Sequence, residues 1–136
     1  MHPIARCACG ACSVALLDAP KVSCICHCSN CKRRTGSAFG MSSYYLEAAL
    51  GERAGELAVY AFRHPEEGYD EERYFCKQCG TTLYWRSSHR PHVVGIAGGC
   101  LPEDDEAAPS ASYSTSGRLA WVTLPARCEA LERPSR

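Results

Sequence analysis

Phe75-Cys76-Lys77-Gln78-Cys79-Gly80 and, far upstream, Ile4-Ala5-Arg6-Cys7-Ala8-Cys9-Gly10 each set two thiols one or two residues apart and follow the second with a glycine. Two cysteines at that spacing reach one ion from a tight turn, and the glycine lets the backbone fold back beneath it. The CxCG and CxxCG halves read as partners in one four-thiolate site. Its ion clips together strands from the two ends of the first two-thirds of the chain, closing a long loop where binding energy is also folding energy. Structural zinc supplies about 10–16 kcal/mol in such sites, against about 5–15 kcal/mol for the net stability of a whole domain. Loss of that metal is expected to unfold the chain.

Between the two halves lies Cys26-His27-Cys28-Ser29-Asn30-Cys31, three thiols within six residues. Three is one ligand short of a closed tetrahedral zinc, and a zinc that does chemistry keeps such a position open. Alternation along an extended segment puts Cys26 and Cys28 on one face and His27 on the other, with Cys31 turning back to the same ion. His27 is therefore expected to support the site rather than ligate. The competing reading is a closed site whose fourth ligand is Cys24, Cys100 or a distant histidine. Three thiolates leave zinc formally at minus one, a poor Lewis acid but a suitable holder of an exogenous thiolate. Lys32, Arg33 and Arg34 follow directly; they either offset that charge and hold substrate carboxylates or form a solvated surface run.

Composition narrows the alternatives. The chain has 136 residues, the size of one domain, with no internal repeat and no visible boundary, so residues 1–136 are expected to form a single unit. Fifteen basic and fifteen acidic residues cancel, and no global field draws the protein to nucleic acid or an anionic membrane. Met1 to Cys7 lacks the basic and apolar regions of a secretory signal, and the apolar runs fall far below the ~20 residues of a membrane helix. A cytoplasmic setting is expected. There, eleven cysteines in tight CxC and CxxC spacings favour metal over a disulfide framework.

Short β-strands between turn signals dominate the rest, with little helical periodicity. Strands are expected at Ser13 to Leu17, Val22 to Cys26, Phe39 to Leu46, Leu57 to Phe62, Glu72 to Phe75, Thr82 to Trp85, His92 to Ile96 and Leu119 to Leu124, mainly antiparallel. A single helical turn is expected at Glu47 to Leu50, a polar turn around Pro65 to Gly68, and a solvated acidic loop from Pro102 to Pro109. Tyr44, Tyr45, Tyr60, Tyr74, Tyr84, Trp85 and Trp121 are expected in the core or on sheet faces. His64, His89 and His92, near turns, are expected at the surface. Thr35-Gly36-Ser37 reads either as a carboxylate-binding turn or as a plain one.

The order Cys7-x-Cys9-Gly10, Cys26-His27-Cys28-x-x-Cys31-Lys32-Arg33-x-Thr35-Gly36-Ser37-Ala38-Phe39 and Phe75-Cys76-x-x-Cys79-Gly80-Thr81 resembles the glutathione-dependent formaldehyde-activating enzyme family, which also includes centromere protein V. The resemblance implies a mainly β fold of small antiparallel sheets joined by a structural zinc, the β-tent. It implies that Cys7, Cys9, Cys76 and Cys79 hold that zinc and that Cys26, Cys28 and Cys31 hold a second, substrate-side zinc. The implied activity joins glutathione and formaldehyde as S-hydroxymethylglutathione, a carbon–sulfur lyase reaction. Cys12, Cys24 and Cys100 are departures from the family pattern, as is Ser112, which stands where the family commonly has a histidine. A non-catalytic, zinc-stabilised module that binds a protein partner or a thiol is the alternative.

Overall fold

The computed structural model describes residues 1–103 and 108–132. Three short strands, β1 (Ile4–Arg6), β2 (Ser13–Leu16) and β5 (Leu50–Ala54), form an antiparallel sheet in the order β1-β2-β5. The larger sheet contains β3 (Val22–Cys26), β4 (Gly40–Leu46), β6 (Leu57–Arg63), β7 (Asp70–Cys76), β8 (Thr82–Ser87), β9 (Val93–Ala97), β10 (Ala111–Tyr113) and β11 (Glu129–Ala130). Their order is β11-β10-β3-β4-β9-β8-β7-β6, antiparallel except where β10 pairs parallel with β3 and β11. The fold is thus mainly β, with small sheets.

The core lies where these sheets meet. Val14 and Leu16 of β2 pack with Tyr45 of β4, Leu83, Tyr84 and Trp85 of β8, and Val94 and Ile96 of β9. Leu83, Val94 and Ile96 are fully buried, each such side chain contributing about 1.5–3 kcal/mol on leaving water. Gly95 makes this packing possible, because a Cβ there would fall 2.3 Å from Trp85 Nε1. A smaller apolar cluster of Cys24, Ala111 and Tyr113 fills the β3–β10 end.

Most expected strands form within a residue or two of their expected ends, and Glu47–Ala49 is a single 3-10 turn. One expected strand does not form. Leu119 to Leu124 runs through turns, with Val122 N–H donating to Leu119 O at 3.0 Å, and Trp121 is 74% exposed. Among the described residues this segment pairs with no strand of either sheet. Conversely, one α-helix escaped the periodicity reading: α1 (Ser29–Thr35), too short to show an apolar repeat and without a fully buried residue. Residues 104–107 of the expected acidic loop lie outside the described residues. Among the described residues, no helix is long and apolar enough to cross a membrane.

Candidate functional site

The sulfurs of Cys7, Cys9, Cys76 and Cys79 lie within 4.8 Å of one another. Cys7 follows β1 in the small sheet and Cys76 ends β7 in the large one, so the cluster bridges the two sheets. The local backbones repeat one another. Cys7 N–H donates to Cys12 O and Cys76 N–H to Thr81 O, both at 3.0 Å, while Gly10 and Gly80 return their N–H to the carbonyls of Cys7 and Cys76. Both glycines have φ near +80°, the left-handed region that their matching positions in the sequence called for. Backbone N–H groups of Cys12 and Gln78 point at Cys7 Sγ and Cys76 Sγ at 3.2 and 3.3 Å. Sulfur separations of 3.7 Å (Cys7–Cys9) and 3.8 Å (Cys9–Cys76) match the edge of roughly 3.8 Å that four sulfurs make around an ion with bonds near 2.3 Å. They are far beyond the ~2.05 Å of a disulfide. Four donors can hold a metal ion here without help. The Thr81 hydroxyl, 3.1 Å from Cys79 Sγ, and then its backbone hold that thiol down to about 5.

Cys26, Cys28 and Cys31 form the second group, also within 4.8 Å of one another and each half-buried. Cys26 ends β3, opposite Tyr113 of β10 and Gly40 of β4. Cys28 is the N-cap of α1, and its sulfur accepts the Cys31 N–H at 3.3 Å. The helix that sequence periodicity missed is therefore what turns Cys31 back onto the group. Gly40 lets α1 settle over the sheet, because a Cβ there would meet Arg34 Nη2 at 2.7 Å and Cys31 Cβ at 3.1 Å. Gly36 ends the helix in the left-handed conformation, its N–H on Lys32 O, which makes Thr35-Gly36-Ser37 a helix C-terminus. Hydrogen bonds from Cys26 and then Cys31, with the backbone N–H groups of Cys31 and Asn30, hold Cys28 down to about 2. The same contacts push the Cys26 and Cys31 thiols up. Among the described residues the group has three members. Cys24 is nearby but buried, its thiol pushed up to about 12 by desolvation.

Supporting residues surround the three thiols. His27 is fully buried on the opposite side, with Nε2 2.9 Å from Ser112 Oγ, and burial lowers its affinity for a second proton. The basic triplet divides: Lys32 Nζ donates to Gly117 O at 2.5 Å, Arg33 is exposed, and the Arg34 guanidinium lies 4.3 Å above the Trp85 ring. Ser114, the one non-glycine residue with positive φ (51°) among the described residues, brings its hydroxyl within 3.9 Å of Cys26 Sγ.

A cavity of about 70 Å³ opens against Cys26, Cys28 and Cys31, and none of the other four-thiol residues lines it. Its far wall comes from β7 and the β6–β7 connection. Glu71 and Arg73 face inward as a buried pair, Nε to Oε2 at 3.1 Å, with Ser87 Oγ on the other carboxylate oxygen. Their charges hid them from a sequence reading that places ionised side chains outside. His64, expected at the surface, is 6% exposed and stacks on Tyr69, which in turn stacks on His89. Its polar neighbours Pro65 to Gly68 form the expected turn, but the turn folds the ring inward. His89 and His92 are exposed. Cys12 and Cys100 are buried, pushed up by desolvation to about 12 and about 11.

Fold and sulfur geometry define a small β protein with two cysteine groups arranged as metal-ligand sets, one complete and one bordering a cavity. The family of the glutathione-dependent formaldehyde-activating enzyme matches residues 2–116, and the chain belongs to that family. It is 37% identical over 73 residues to an uncharacterized lyase of Schizosaccharomyces pombe, an alignment that takes in 52% of this chain and 47% of the yeast protein. The chain thus matches about half the length of that relative. A crystal structure of a Rhodobacter sphaeroides protein shares the fold, with a TM-score of 0.56 and 23% identity over 74% of this chain and 88% of that one.

Proposed function

We propose that this protein is a zinc-dependent carbon–sulfur lyase-type enzyme acting on glutathione or another thiol adduct, in the manner of S-(hydroxymethyl)glutathione synthase. One observation carries the reading: the three-thiol group borders a cavity, whereas the four-thiol group is complete and turned away from it. Cys7, Cys9, Cys76 and Cys79 would hold a structural zinc, and Cys26, Cys28 and Cys31 a second. Zinc in the second position would lower the pKa of a thiol bound to it and keep its sulfur electron-rich.

The chain's own residues set what can enter. A water needs roughly 10–15 Å³ of such space, so a cavity of about 70 Å³ takes a sulfur and a one-carbon electrophile. The body of the thiol lies outside. Arg34 lines the same space and brings a guanidinium beside the three thiols, whereas Arg73 there is paired with Glu71. A balanced net charge supports a small-molecule substrate over nucleic acid or membrane, and a single cytoplasmic domain fits the same reading.

The test mixes zinc-loaded protein with glutathione and formaldehyde and follows adduct formation by exchange NMR, beside the Cys28→Ser variant. Acceleration by the native protein and none by the variant is expected; equal rates would sink the reaction for this substrate. A binding module is the second reading, favoured by Val59 and Tyr60, which are more than half exposed on the edge strand β6. Metal counting separates the two. Two ions per chain, one removed by mild chelation without unfolding, fit the enzyme; a single tightly held ion counts against it.

A further inference from the structure

His64 opens the connection between β6 and β7, and its backbone closes that connection. Its N–H donates to Tyr69 O at 2.7 Å, and its carbonyl accepts from Gly68 N–H at 3.0 Å. Gly68 reaches that position with φ +73°, a conformation that costs glycine little. Within this short loop the ring is held as firmly as the backbone. Nδ1 accepts the backbone N–H of Glu66 at 3.3 Å and of Glu67 at 3.1 Å. A ring nitrogen that accepts is unprotonated, so the neutral ring carries its proton on Nε2.

The ring is almost entirely buried, and it lines the cavity that Cys26, Cys28 and Cys31 border. A neutral imidazole with one fixed N–H therefore stands in the same small space as the three thiols. Such a group is a stationary hydrogen-bond donor. Donors held in place in an enclosed site stabilise developing oxygen charge without reorganising during the reaction.

We propose that His64 is a catalytic hydrogen-bond donor, its Nε2–H binding the oxygen of the carbonyl electrophile as the sulfur attacks. The assignment rests on the thiol-adduct reading above and adds to it the group that handles oxygen. The sulfur lone pair forms the C–S bond, and the C=O π pair moves onto oxygen. His64 Nε2–H bonds to that oxyanion and keeps its own proton. The thiol's proton passes to water, and water supplies the proton that completes the hydroxymethyl group. In the reverse direction the same N–H holds the oxygen as the C–S bond breaks.

The experiment compares native protein with His64→Ala and His64→Gln, all zinc-loaded, using glutathione and formaldehyde. His64→Ala is expected to lower kcat by about 10²–10³-fold, the cost of losing one such donor. Its KM for glutathione is expected to stay within about threefold, as for an interaction made only in the transition state. The His64→Gln variant, which keeps an amide N–H, is expected to recover at least about tenfold of the loss. Long-range ¹H–¹⁵N NMR on the native protein reads the ring independently of turnover, and the Nε2–H tautomer is expected. An Nδ1–H tautomer, or a kcat in both variants equal to that of native protein, overturns the role of His64 alone. Native protein that fails to accelerate the reaction overturns the thiol-adduct reading and the role of His64 together.

Discussion

The four-thiol and three-thiol groups are built from the same side chain, yet they do opposite things to the molecule. Cys7, Cys9, Cys76 and Cys79 tie the small sheet to the large one, from strands distant in sequence, and each half rests on a glycine-bearing turn. Cys26, Cys28 and Cys31 come from one short segment, and the β3–β4 ladder and the cap of α1 position them already. The first group closes a long loop, seconded by the Ala8 N–H donating to Thr81 Oγ1 at 3.2 Å between the same two turns; the second borders a cavity. Stability should therefore depend on the first group and chemistry on the second.

The largest effect is expected from Cys76→Ser. The proposed zinc there would contribute about 10–16 kcal/mol, so its weakening would outweigh the stability of most domains, and the variant should lose dispersed NMR resonances and near-UV circular dichroism. Gly55→Ala attacks the same region through the backbone. Gly55 has φ +88°, and a Cβ there would sit 2.1 Å from Ala11 O, beside the Cys9–Cys12 turn. About 1–3 kcal/mol of conformational strain plus that overlap should lower the urea midpoint well below that of native protein.

On the other side the expected losses shrink. Ser112→Ala removes the hydrogen-bond partner of the fully buried His27 ring, whose Nδ1 has none among the described residues, at a cost of about 1–3 kcal/mol by urea unfolding. Arg34→Lys gives up the guanidinium over Trp85, worth about 0.5–2 kcal/mol, with a matching small shift in thermal midpoint. Smallest of all for stability is Cys28→Ser. Serine is itself a preferred N-cap, so α1 should persist with a change below about 1 kcal/mol while the second metal equivalent and the adduct formation proposed above are lost. Unfolding of Cys28→Ser, or a stable metal-free Cys76→Ser, would erase the contrast between the two groups.

Much of this was legible because cysteine and glycine carry positional meaning. The matching CxCG and CxxCG halves announced both the partners and the turns beneath them, and the alternation of Cys26, His27 and Cys28 foretold that His27 would face away. The missed elements have physical causes. Helix α1 has no apolar stripe because it packs through Arg34 and the thiols, and Gly40, rather than an apolar residue, makes room for it. Leu119 to Leu124 has strand composition but no partner ladder. Glu71 and Arg73 go inside because each neutralises the other there, an arrangement that requires β7 to face the cavity.

By itself, the sequence determined the two thiol pairs and the three-thiol run, since ligand spacing within a pair is a local property, and marked the glycines able to turn beneath the pairs. Only the tertiary structure decided what each group faces. It set the four thiols between two sheets and the three against a cavity, and it folded His64 inward to line that same cavity. Those outcomes depend on ladder order and on packing across the sheets, which bring together residues whose spacing in the chain says nothing of their meeting.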